Sequence, residues 1–226
     1  TEQFASKMIE EEKLDCHYII TNEAGASVYS ASKLAIDELP DLDVTIRGAV
    51  SIARRVQDPL AESVKIDPKS IGVGQYQHDV NQKQLTHTLD QVVESVVNHV
   101  GVELNTASPA ILQHIAGISG TVAKNIVAFR QENGGFTSRK QLLKVPRLGP
   151  AAFTQCAGFL RLNGAKNPLD NTSVHPESYE LAERIIGELG FTLKDLQDKS
   201  QLEALQVKLP LVDVDKMVHK LDAGVP

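Results

Sequence analysis

The chain has 226 residues, 42% of them hydrophobic and 23% charged, with a net charge of −6. That is ordinary globular composition, long enough for one or two domains with a buried core. No apolar run approaches the roughly 20 residues of a membrane span, and the start lacks the basic and apolar regions of a signal peptide. Cys16 and Cys156 lie far apart without metal-ligand spacing and read as reduced thiols of a cytoplasmic protein. The first residue is Thr1 and not Met, so a larger parent is expected.

In chain order, residues 4–13 read as a helix with Phe4, Met8 and Ile9 on one side. Residues 14–21 read as a strand, because Tyr18-Ile19-Ile20 are β-formers in a short apolar run, and 22–27 as a polar loop. One helix is expected from Ser27 or Ser30 to Leu39, ended by Pro40. Another runs from Asp43 or Thr45 to Val56, and a short segment from Asp58-Pro59 to Val64 follows. Residues 65–82 are rich in turn residues and read as an ordered connector. Within it Gly72-Val73-Gly74 lacks the strand before and helix directly after that a nucleotide-binding turn requires, and His78 and Asp79 have no second ligand cluster. From Asn81 a long helix carries Leu85, Leu89, Val92, Val93, Val96, Val97 and Val100 at spacings of three and four, and Gly101 ends it.

The most informative stretch follows, where one pattern is written twice, thirty residues apart: Ser108 with Ser138, Leu112 with Leu142, Ile115 with Val145, Ala116 with Pro146, Ile118 with Leu148. Each copy opens with a serine at a helix N-cap position, breaks at Ala116-Gly117 or Val145-Pro146, and resumes an apolar series. The second series is Val122, Ile126, Phe129 in one copy and Phe153, Cys156, Phe159 in the other. After Lys166 a turn-rich linker over 167–173 leads to a helix starting at His175-Pro176-Glu177, with Leu181, Ile185, Ile186 and Leu189 on its apolar side. Short helices follow near 193–198, 201–205 and 213–221.

Charge follows the repeat. Residues 105–166 carry Lys124, Arg130, Arg139, Lys140, Lys144, Arg147, Arg161 and Lys166 against the single acid Glu132, while the flanks on both sides are acidic. A basic segment inside an acidic chain is the electrostatic footprint of a nucleic-acid backbone site.

The repeat resembles a tandem helix-hairpin-helix module, whose hairpin reads apolar-x-Gly-apolar-Gly. Ile115-Ala116-Gly117-Ile118-Ser119 has Ser in place of the last Gly, with Gly120 next; Val145-Pro146-Arg147-Leu148-Gly149 has Arg in place of the first. A hairpin entering a helix collects unpaired backbone N–H groups at the positive end of the helix dipole, where phosphate binds without base readout. The expected contacts are therefore Gly117, Ser119, Gly120, Lys124, Arg130, Arg139, Lys140, Lys144, Arg147 and Gly149.

The strings Asn22-Glu23-Ala24-Gly25-Ala26-Ser27, Arg47-Gly48-Ala49-Val50-Ser51, Ser70-Ile71-Gly72-Val73-Gly74-Gln75-Tyr76, Val102-Glu103-Leu104-Asn105 and Val174-His175-Pro176-Glu177 extend the likeness over the whole chain, which is similar to the Tex family of bacterial transcription accessory proteins. That resemblance implies a mainly α (α+β overall) chain: the later part of a YqgF-type, RNase-H-like domain over 1–64, a connector and bridging helix over 65–104, tandem helix-hairpin-helix over 105–166, and a small acidic helical domain over 167–226. It also implies a parent with a C-terminal OB-fold, and partners that are RNA or DNA backbone, with RNA polymerase or elongation factors as further candidates. No membrane, cofactor, metal ligand or catalytic residue is expected.

The alternatives are an RNase-H-like nuclease or resolvase remnant and a docking scaffold for the transcription machinery. For the first, Glu23 resembles one acidic position of the resolvase relatives. Arginines and serine over Arg47 to Arg55 stand where another acid is needed to hold two metals, so the expected role is non-enzymatic.

Overall fold

The computed structural model describes residues 2–221. It is mainly α, with two strands of two residues each among the described residues. In order these are α1 Glu2–Glu11, α2 Ala26–Ser30, α3 Lys33–Glu38, α4 Val44–Gln57, α5 Pro59–Ser63, α6 Pro68–Ile71, α7 Gln82–Val100, β1 Val102–Glu103, α8 Pro109–Leu112, α9 Gly120–Asn133, α10 Pro150–Cys156, β2 Leu160–Arg161, α11 Tyr179–Glu188, α12 Lys199–Lys208 and α13 Val214–Leu221. Short 3-10 turns join several of them. The chain divides into two units within α7, one ending at Leu89 and the other beginning at Asp90.

In the first unit the expected helices form with the caps their sequence supplies. Asp43 accepts the amides of Thr45 and Ile46 at the start of α4, and Asp58 accepts Ala61 N at the start of α5, with Pro59 at its first position. The single helix expected up to Leu39 is instead two, because Ser32 turns extended and caps α3 through Ala35 N. Its core is small, centred on Tyr29, Ala35 and Ile66. Beside it Lys65 Nζ lies 2.9 Å from Glu38 and 2.8 Å from Glu62, and the Tyr29 hydroxyl donates to Glu38 at 2.6 Å. Burial and the Glu38 carboxylate push the Tyr29 phenol above its ordinary range.

The strand expected over residues 14–21 does not form. Ile19 and Ile20 are 69% and 72% exposed, and among the described residues no strand lies alongside to complete a ladder. β-propensity describes fit to a pleated, half-buried surface, and without that surface the segment runs extended and unpaired.

The second unit has a larger core, and the repeat writes it. Leu112 and Leu142, Ile115 and Val145, Ile118 and Leu148, Ile126 and Cys156 are all buried, each pair thirty residues apart. Phe129, half-buried, stacks on Phe136 with centroids 5.1 Å apart. β1 and β2 bracket the repeat, pairing in parallel with Val102 opposite Leu160 and Glu103 opposite Arg161. Beyond β2, Leu169, Ile186, Phe191 and Leu205 form a second cluster under α11 and α12.

The two serines expected as caps differ. Ser138 Oγ accepts Lys140 N at 3.2 Å, and the Gln141 side chain reaches back to Ser138 N, completing a capping box on the 3-10 helix Arg139–Lys144. Ser108 precedes α8 in the same extended conformation, but its hydroxyl is buried and finds no protein partner among the described residues. In that copy Pro109 occupies the first helical position.

Replacing Ser138 with Ala should therefore lower unfolding stability by about 1 kcal/mol. Ser108→Ala should leave it unchanged within about 0.5 kcal/mol, because no cap bond is lost. Urea melts of the two variants read the difference. Burial also pushes the Cys156 thiol up to about 12, and Cys16 is exposed. Alkylation near pH 8 should label Cys16 alone in the folded chain and both thiols once it is unfolded; modification of folded Cys156 would contradict its burial.

Candidate nucleic-acid interface

The two hairpins are built from the same backbone bonds. Ile115 N donates to Leu112 O and Ile118 N to Ile115 O, at 3.0 Å each; Val145 N donates to Leu142 O at 2.9 Å and Leu148 N to Val145 O at 3.1 Å. Each helix then closes its first turn with a 2.9 Å bond, Ala123 N to Ser119 O and Phe153 N to Gly149 O. At the bend both chains enter the left-handed region, Gly117 with φ of 80° and Arg147 with φ of 67°. The second hairpin thus keeps the geometry of the missing glycine and carries the cost of placing a side chain there, about 1–2 kcal/mol.

A second glycine property separates the copies. A Cβ on Gly117 would lie 2.8 Å from Gln155 Cβ and 3.1 Å from Ala152 O, so this hairpin is packed against α10 and admits no side chain. Arg147 is exposed.

Side-chain amides fix the hairpins in place. Asn98, near the end of α7, donates to His114 O at 3.0 Å and accepts Ala116 N at 3.1 Å, holding the first bend from both sides. Asn125 on α9 donates to Pro146 O at 2.8 Å in the second hairpin. Gln155, thirty residues after Asn125, lies against Gly117 in the first. The helix leaving each hairpin therefore braces the other hairpin. Sequence reading missed these three residues, although the thirty-residue offset between Asn125 and Gln155 was a signal for two of them.

The hairpins leave amides open. Among the described residues no protein acceptor meets the backbone N–H of Ser119, Gly120 and Thr121 in the first, or of Gly149, Ala151 and Ala152 in the second. Ser119 Oγ accepts Val122 N at 3.3 Å, so the serine in place of glycine closes one amide that the second hairpin keeps free.

The ten expected contact residues separate into two groups. Gly117, Ser119, Gly120 and Gly149 lie exposed at the bends, and Lys124, Lys140, Lys144 and Arg147 are exposed cations. Lys124 is one turn along α9 from Gly120.

Arg139 and Arg130 do not belong with them. Arg139 is 0% exposed, and its guanidinium donates to Leu160 O, Val174 O and the Tyr179 hydroxyl, at 2.8 Å each, and to Thr172 O. The Tyr179 hydroxyl in turn donates to Asp170 at 2.7 Å, and Asp170 accepts Arg139 N. Burial and the Asp170 carboxylate raise the Tyr179 phenol above its ordinary range. This cation ties the repeat to the segment after Lys166 and cannot reach phosphate. Arg130 is half-buried and donates to Leu104 O at 3.0 Å and Ala107 O at 2.9 Å, and its burial lowers its pKa. Both arginines were expected at the interface because composition cannot distinguish a cation facing solvent from one facing carbonyls.

Of the remaining expectations, Glu23 is exposed in the loop before α2. Among the described residues no three His, Cys, Asp or Glu side chains converge as metal ligands, and no helix is long and apolar enough to cross a membrane.

Replacing Arg139 with Met should unfold the second unit at lower denaturant by about 3 kcal/mol or more, since several buried acceptors lose their donor. Nucleic-acid affinity per folded molecule should not change. Denaturant melts and binding titrations on the same preparation check both halves.

Comparison with known families matches residues 1–57 to a Tex protein YqgF-like domain, 97–161 to a helix-hairpin-helix motif, and 167–221 to an HHH domain. The last match was not anticipated from the sequence, which marked 167–226 only as small, acidic and helical. Protein YhgF of Escherichia coli is 64% identical over 188 residues, covering 83% of this chain and 24% of that protein. The transcriptional accessory protein Tex of Neisseria gonorrhoeae is 63% identical over 180 residues, 80% of this chain and 24% of that protein. The human S1 RNA-binding domain-containing protein 1 is 42% identical over 260 aligned positions, 94% of this chain and 26% of that protein. The chain thus spans about a quarter of the length of these relatives.

Proposed function

Because the chain belongs to the Tex family, we propose that its repeat grips the sugar-phosphate backbone of RNA or DNA without reading bases, as part of a transcription accessory protein. The observation that carries this reading is the pair of like-built bends, each presenting unpaired amides at a helix start, with Lys124, Lys144 and Arg147 beside them. Oriented amides and the positive end of a helix favour an anion, and lysine and arginine add the long-range attraction that draws a polyanion in. No base edge is addressed by such a grip, since phosphate contacts fix register and carry no sequence information. The relatives' names support it: one is a transcriptional accessory protein and another carries an S1 RNA-binding domain.

We further propose that this region acts without catalysis. Two-metal nucleases need clustered carboxylates, and Glu23 stands without the two partners such a cluster needs among the described residues. RNA polymerase or an elongation factor remains the proposed protein partner on the strength of the family alone.

The test is the salt dependence of binding. Lys144→Gln combined with Arg147→Gly removes two cations and, through the glycine, keeps the left-handed bend. Plotted against the logarithm of salt concentration, the logarithm of affinity should lose roughly 1.4 to 1.8 of its slope, depending on whether single strand or duplex is bound. The change should be alike for unrelated sequences. A slope unaltered by the double substitution would remove the phosphate reading.

A further inference from the structure

Beside the first hairpin, within the second unit, lies an open cavity of about 390 Å³ whose walls include Asn98, His99, Phe159, Arg161 and His175. Its size falls in the range of roughly 300–1,000 Å³ typical of small-ligand pockets. It shares Asn98 and Gln155 with the hairpin: the first clamps the bend, and the second lies under Gly117.

Its chemistry is that of an anion site with one aromatic wall. Arg161 is half-buried and donates Nη1 to Gly158 O at 2.7 Å, while its remaining N–H groups meet no protein acceptor among the described residues. The guanidinium lies over the end of α7, so close that a Cβ on Gly101 would stand 2.6 Å from Arg161 Cζ; a glycine with φ of 80° makes room for it. No carboxylate is among the lining side chains. The Glu177 carboxylate lies 3.4 Å from Nδ1 of the lining His175, and the other ring nitrogen of His175 is held 3.0 Å from Thr154 O. Phe159 is half-buried and lines the cavity.

We propose that this cavity takes one nucleotide unit, with its phosphate on Arg161 and its base against Phe159. The proposal rests on the phosphate-gripping reading of the hairpins and adds a second point of contact on the same strand. A guanidinium offers phosphate paired, charge-assisted hydrogen bonds, and an aromatic ring accepts any base by its face, so the site is tolerant of sequence. The base must be unstacked to enter, which selects single-stranded over duplex nucleic acid. The same chemistry would accept a free nucleoside monophosphate, and the two sources are separable by experiment.

The full chain is titrated with adenosine 5′-monophosphate by calorimetry and with a short labelled single-stranded RNA by anisotropy. Three variants are compared: Phe159→Leu, Arg161→Lys, and His99→Ala on the exposed last turn of α7, which serves if the inner two do not fold. The pocket variants should weaken binding about fivefold or more, the lower end of the effect of losing a base-aromatic stack. A loss seen with RNA alone assigns the cavity to a nucleotide within a strand; a loss seen with the monophosphate as well assigns it to free nucleotide too.

If the folded pocket variants bind both ligands like the unaltered chain, the proposal is overturned. Should Lys144→Gln with Arg147→Gly still weaken RNA binding in that case, the hairpin reading survives it. Conversely, pocket variants that lose the monophosphate while the hairpin variant keeps its RNA affinity would sink the hairpin reading and leave a free-nucleotide site.

Discussion

The second unit depends on two bends that brace each other. A tight turn between helices has few contacts of its own and would fluctuate if left alone, and an interface made of backbone amides works only if those amides hold a fixed direction. Here Asn125 reaches from α9 to Pro146, and Gln155 reaches from α10 to Gly117. Asn98 adds a third hold from α7. A mutually braced pair of bends follows from duplication, because each copy supplies the support its twin lacks.

The same geometry explains the unequal glycine usage. At the first bend the neighbouring helix leaves no space for a Cβ, so glycine is required by packing as well as by backbone angle. At the second bend only the angle is demanding, and Arg147 adopts it at φ 67°. A cation is gained at the rim in exchange for modest backbone strain. Ser119 shows the opposite compromise, improving the helix start by capping Val122 N while withholding one donor from any ligand.

The repeat was legible because both its spacing and its burial have a period: Leu112 with Leu142, Ile115 with Val145, Ile118 with Leu148 and Ile126 with Cys156 recur after thirty positions and lie in the core. Capping of α4 and α5 was legible for the same kind of local reason. What could not be read was anything decided by a distant partner. The apolar run around Ile19 has strand chemistry and no adjacent strand among the described residues. Arg139 has the composition of a binding residue and the surroundings of a structural one, with acceptors 21 to 40 residues away in sequence. Ser108 repeats Ser138 in sequence and in its extended backbone, yet its hydroxyl meets no amide among the described residues. At the site, the exposed cations and bends were foreseeable, and the amide-bearing side chains that hold them were not.

The short parallel pair Val102–Glu103 with Leu160–Arg161 joins the entrance of the repeat to its exit. Leu104 N reinforces it on Arg161 O at 2.8 Å, and Asn163 N on the Glu103 carboxylate at 3.0 Å. Because the two strands are parallel and the repeat lies between them, tension applied along the chain from outside would act on them in opposite directions and load their bonds together in shear before it reached the hairpins inside the closed loop.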